Sequence, residues 1–95
     1  ALGCQPERPE ASIVMQEFRF TPETVTVPAG RPVVLHLRNT GHERHEFQSI
    51  VLRAGVELRE GEPGGAPVAS DTIAVMPGRI IRVLITAPAG ATPFR

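Results

Sequence analysis

The chain has no lysine, a single cysteine, and no apolar run approaching the roughly 18 to 20 residues that a membrane-spanning helix requires. Each shortage narrows the field. With Cys4 alone, no intrachain disulfide can form, and the redox compartment cannot be argued from paired cysteines. All ten basic residues are arginines, balanced by ten acidic ones to a formal net charge of zero. No field of one sign is present to draw the chain to nucleic acid or to an acidic membrane surface. The missing lysines fit a coding bias and carry no functional weight. No basic and then apolar leader opens the sequence, so the chain as it stands is expected to be a soluble module. Its 95 residues suit one domain with one modest core.

The opening Ala1-Leu2-Gly3-Cys4 resembles the end of a bacterial lipoprotein signal, in which a small residue precedes the cysteine that becomes lipid-modified. The usual leucine three positions before the cysteine is missing, and an ordinary tail with an incidental cysteine is the competing reading. On the lipid reading, Cys4 is the chain's one contact with a membrane and is not a metal ligand. Two prolines between Gln5 and Glu10 forbid regular hydrogen bonding and make this stretch a spacer. Residues 1–10 are therefore expected to be a tail, and residues 11–95 the folded domain.

From Ala11 onward, short runs of Val, Ile, Thr and Phe separated by Pro and Gly predict strands rather than helices. A first strand is expected over Ser12–Phe20, with Phe18 and Phe20 inward and Glu17 and Arg19 outward. A second is expected where Val25 and Val27 alternate with Thr24 and Thr26. In a third, Val33, Leu35 and Leu37 face the core, while Val34, His36 and Arg38 face out. A fourth follows from the alternation of Phe47, Ser49 and Val51 with Gln48, Ile50 and Leu52. The glycine- and proline-rich stretch 53–70 reads as one long connection, with a helical turn near Gly55–Glu60 that Gly61 and Pro63 would end. Thr72–Met76 and Arg79–Thr86, flanking Pro77-Gly78, predict a hairpin in which Ile73 and Val75 pack with Ile81, Val83 and Ile85.

The run from Phe18 to Phe47, which contains Val27-Pro28-Ala29-Gly30, Asn39 and Arg44-His45-Glu46-Phe47, resembles the front half of a cupredoxin. In that family an asparagine at a strand end leads within a few residues to the first histidine ligand of a copper ion, here His45. The resemblance implies an all-β, Greek-key sandwich and one bound copper ion in the complete protein. It also implies one-electron transfer or copper handling in the periplasm or at the cell surface, served by a redox partner or a metal-transport protein. The family completes its site with a cysteine, a second histidine and often a methionine, and no such set follows His45 in these residues. Ala87-Pro88-Ala89-Gly90-Ala91-Thr92-Pro93-Phe94 resembles the approach to that missing loop. The expectation is a sandwich lacking its last strand, either because the protein continues past Arg95 or because the member is degenerate, with the 95 residues alone binding little or no copper. An unpaired edge of this kind invites domain swapping or an edge-paired dimer.

Beyond His45, the candidate ligands are weaker. His42 shares its loop and could join it on a metal ion, or simply be a solvated histidine. His36 is expected to be exposed. Met15 and Met76 are the only thioethers, soft donors suited to copper(I) but also common core fillers. Glu43 and Glu46, three residues apart, have a spacing seen in ferric sites and also common by chance. That segment resembles the cupredoxin-like domains attached to periplasmic iron-uptake proteins, which leaves both copper and iron open. No phosphate loop, zinc spacing or hydrolase signature appears, so the chain is expected not to be an enzyme. The alternative to a redox role is a non-redox binding or assembly module, or an iron-uptake accessory.

Overall fold

The computed structural model describes residues 9–17, 19–54, 57–60, 65–69 and 71–95, with backbone alone at 54, 57–60 and 65–69. Among the described residues eight strands follow one another: β1 (Glu10–Gln16), β2 (Arg19–Thr21), β3 (Pro32–Asn39), β4 (His45–Gln48), β5 (Glu57–Glu60), β6 (Gly65–Ala69), β7 (Thr72–Val75) and β8 (Ile80–Thr86). A short 3₁₀ helix, Ile50–Ala54, follows β4. The strands form a five-stranded sheet, ordered β2-β1-β3-β8-β5, and a three-stranded sheet, ordered β4-β7-β6. The expected all-β sandwich is the observed architecture. The larger sheet is mixed, because β1 runs parallel to β3 while its other pairs are antiparallel.

β3 shows most directly how the sequence dictates the layer. Val33, Leu35 and Leu37 are all buried, with Val34 and His36 half-covered and Arg38 exposed between them, as the two-residue period requires. Their partners on β8, Ile81, Val83 and Ile85, are buried in register with them. Ile13, Met15, Phe47, Val51, Leu52, Ile73 and Val75 complete one core between the sheets.

Several expectations are corrected. The first predicted strand breaks at Glu17, and β2 folds back on β1 with Phe20 opposite Met15. Alternation continues through a tight reversal, so the pattern alone did not reveal it. Phe18 lies outside the described residues, whereas Phe20 is half-buried against Phe47 and Phe94. Val25 and Val27 pack on the core as expected but form no strand. The strand predicted through Leu52 ends at Gln48, and Val51 and Leu52 are both buried. Consecutive strand residues point to opposite faces, so the 3₁₀ turn is what lets both side chains reach one core. Ser49 starts it, with its hydroxyl accepting the Val51 amide at 3.2 Å and its carbonyl accepting that of Leu52 at 3.1 Å.

The predicted connection 53–70 contains two strands instead of none, and residues 57–60 are β5 rather than helical. Gly55, Gly61, Pro63 and the tail with Cys4 lie outside the described residues. β5 and β6 are edge strands, where weak strand formers and even Pro67 are tolerated because one side needs no partner. The predicted β7–β8 hairpin does not form. β7 pairs with β4 and β6, β8 pairs with β3 and β5, and the Pro77-Gly78 turn carries the chain between the sheets. Ile73 and Val75 do share the core with Ile81, Val83 and Ile85, but face to face across the sandwich.

The free edge of β4 is joined by the last residues. Ser49 and Phe94 form an antiparallel bridge, and Gln48 and Arg95 exchange backbone hydrogen bonds at 2.5 and 2.9 Å.

Candidate metal centre

One pole of the sandwich collects the end of β3, the 40–44 loop, the first residue of β4, the end of β7 and the turn after β1. Asn39 organises it. The residue is fully buried; its Nδ2 donates to the carbonyls of Glu43 at 2.7 Å and Val75 at 2.8 Å, and its Oδ1 accepts the Gly41 amide at 2.8 Å. Its own amide donates to the Arg79 carbonyl, and its carbonyl accepts the Gly78 amide. Gly78 takes φ +77°, a left-handed conformation that glycine adopts without a steric cost. A buried asparagine with its donors and acceptors matched in this way fixes the position of the loop that follows.

Glu17 holds the same loop from the other side. Its Oε1 accepts the amides of His42 at 2.6 Å and Glu43 at 3.1 Å, and it stands 3.1 Å from Nε2 of His45. Partial desolvation favours the neutral acid, but the hydrogen bonds from His45 and from the His42 and Glu43 amides prevail and hold the carboxyl below its ordinary value. Gly41 permits the approach, because a Cβ there would collide with the Glu17 carboxylate.

His45 opens β4 opposite Val75, with its side chain 18% exposed. It lies on the same face as buried Phe47, at the rim of the core. Glu46, the next residue, is turned to the other face and pairs with Arg44 at 3.0 Å in solvent, a contact of small energetic value. His42 is exposed in the loop, engaged there through its backbone amide. Met76 directly follows Val75 and is 40% exposed, which puts a thioether at the pole that carries His45. Met15 is wholly buried in the core. His36 sits mid-strand on the outer face, its Nε2 2.5 Å from Glu10 Oε1.

The donor chemistry of the pole fits a share in a copper site. It offers an imidazole held in place by a carboxylate, with a thioether on the neighbouring strand end. Among the described residues no three His, Cys, Asp or Glu side chains gather as a metal cage. The resemblance to cupredoxins singled out Asn39 and His45. The sequence gave no sign of Glu17, which reaches His45 from 28 residues away.

These features define a small all-β domain, a two-sheet sandwich with a buried asparagine and a rim imidazole at one pole. The family model for the cupredoxin-like domain matches residues 3–81, and the chain belongs to that family. Among solved structures, the multicopper oxidase from Campylobacter jejuni, a metallo-oxidase, is similar with a TM-score of 0.59 at 16% identity over 93% of this chain. This chain spans 26% of that protein's length, and at such identity the likeness is one of fold. No curated protein matches the chain by sequence.

Proposed function

We propose that this domain binds one copper ion in its complete form, with His45 as a ligand, and serves one-electron transfer or copper handling outside the cytoplasm rather than catalysis. The observation that carries this reading is the rim imidazole of His45, whose Nε2 faces the Glu17 carboxylate and whose Nδ1 is left for a cation. A second supports it. The ladder begun by Phe94 and Arg95 along β4 runs from Ser49 toward His45, so each residue added to it would come nearer that imidazole.

Copper, when bound, supplies the one-electron chemistry. The chain's own residues supply geometry: Asn39 and Glu17 fix the loop, the sandwich keeps the loop from adapting, and His45 is presented at a constant angle. Small structural change between oxidation states is what a rigid ligand frame provides. On this reading the partner is a redox protein or a metal-transport protein, the compartment is the periplasm or cell surface, and Cys4 serves at most as a lipid attachment point.

The test is titration of the full-length protein with copper(II). The expected result is an intense absorption toward the red end of the visible spectrum, lost in His45→Ala. A colourless protein whose copper affinity is unchanged by His45→Ala overturns the proposal and favours a non-redox binding module or an iron-uptake accessory.

A further inference from the structure

We propose that Glu17 is the positioning residue of this pole: from the turn after β1, its carboxylate selects the Nε2–H tautomer of His45 and pins the 42–45 loop with the same oxygen. As far as it concerns a metal, this rests on the copper reading above, but the positioning itself needs no metal.

The argument is one of hydrogen-bond accounting. An ionised carboxylate can only accept, and a neutral imidazole carries one proton on one of its two nitrogens. With Nε2 3.1 Å from Glu17 Oε1, that proton must sit on Nε2 for the contact to be attractive. Nδ1 then holds the free lone pair, and no hydrogen bond of the described residues engages it. The same Oε1 accepts the amides of His42 and Glu43, so one atom ties the orientation of the ring to the loop that Asn39 also holds. Both side chains are mostly covered, at 18% exposure for His45 and 23% for Glu17, which keeps water from competing freely for the contact.

Two features of the sequence are explained by this arrangement. Glu17 follows the last residue of β1, and the reversal into β2 brings it to the pole in place of the outer face that strand parity assigns it. Gly41, which no positive φ requires, leaves the space that the carboxylate fills. An outer partner that orients a ligating imidazole and raises its basicity is a recurrent device in metal sites, and its removal typically weakens metal binding by about 10- to 100-fold.

The experiment is ring ¹⁵N correlation spectroscopy of His45 in the metal-free, full-length protein at about pH 8, above the ordinary imidazole value. The wild type should show the Nε2–H tautomer. Glu17→Ala should give a mixed or inverted tautomer and faster amide exchange at His42 and Glu43. Glu17→Gln, which keeps an acceptor oxygen but no charge, should retain most of the wild-type pattern. In copper titration, Glu17→Ala should bind about 10- to 100-fold more weakly, with Glu17→Gln between it and the wild type.

A wild-type ring in the Nδ1–H form overturns the inference, as does an Nε2–H form that persists in Glu17→Ala. Should the alanine variant fail to fold, Glu17→Gln decides, and loss of the tautomer preference there counts against it. Failure of copper binding in the wild type would sink the functional reading and leave the ring measurement standing.

Discussion

The buried side chain of Asn39 donates to the backbone carbonyl of Val75 at 2.8 Å, joining the last residue of β3 in one sheet to the last residue of β7 in the other. Its removal strands three polar groups, the Val75 and Glu43 carbonyls and the Gly41 amide. Each buried group left unsatisfied costs about 1 to 3 kcal/mol, less where water can enter. Asn39→Ala is therefore expected to lower unfolding stability by about 2 to 4 kcal/mol, read as a shift in urea midpoint at constant slope. Asn39→Asp should be at least as damaging, because it replaces both amide donors with an acceptor. A loss under about 1 kcal/mol for either variant would mean that the pole is not clamped by this residue.

Gly41→Ala separates positioning from stability. The added methyl would meet the end of the flexible Glu17 side chain and displace it, and the exposed His42 and Glu43 amides that it leaves can turn to water. Unfolding stability should therefore change by no more than about 1 kcal/mol. The His45 ring, by contrast, should lose its wild-type tautomer preference as the carboxylate is displaced. Unaltered ring shifts in this variant would show that the close approach of Glu17 to the loop does not control the imidazole.

The aromatic group at the sheet interface should respond in proportion to burial. Phe47 is 2% exposed and stands 5.3 Å from Phe94 and 6.3 Å from Phe20, ring centre to ring centre. Phe47→Ala is expected to cost about 3 to 5 kcal/mol in chemical denaturation. Phe94→Ala should cost about half of that or less, since Phe94 is only half-buried and part of the space it leaves opens to water. Equal losses would show that the C-terminal residues belong to the core as fully as β4 does.

Acid should weaken the fold partly through Asp71. The hydroxyl of Thr72 and the guanidinium of Arg53, at 2.9 and 3.0 Å, outweigh desolvation and hold its carboxyl below the ordinary aspartate value. A folded-state value lower than the unfolded one gives stability that is fully present above about pH 4 and is lost as pH falls through the folded value. Asp71→Asn should be less stable than the wild type near neutral pH and show a shallower decline on acidification. Because Glu17 is lowered in the same sense, some acid sensitivity should remain in that variant. Parallel stability profiles for wild type and Asp71→Asn between about pH 2 and 5 would contradict the assignment.

How much of this was legible in sequence follows from where each interaction is made. β3 could be read because a central strand with one face on the core imposes strict alternation on Val33, Leu35 and Leu37. β5 and β6 could not, because an edge strand is held by backbone pairing on one side and makes little demand on composition. Pro77-Gly78 was read correctly as a turn but not as a crossing. The same two residues serve either geometry, and the choice depends on β3 and β4, which claim β8 and β7 as partners from distant parts of the chain.

The pole divides in the same way. Asn39 and His45 lie within one stretch of chain, and it is the cupredoxin resemblance of that stretch that singled them out. Nothing local marks Glu17, which on strand parity alone looks like a solvent-facing carboxylate. Its role is created by the reversal between β1 and β2, a tertiary event with no signature in the residues around His45.

The passage of the chain between sheets at Pro77-Gly78 sets an order of assembly. Asn39 and His45 are synthesised before Val75, Gly78 and Arg79, which close around them. A nascent chain released up to β6 would carry the imidazole without the frame that aims it. The frame around the His45 imidazole is therefore complete only once β7 and β8 have docked.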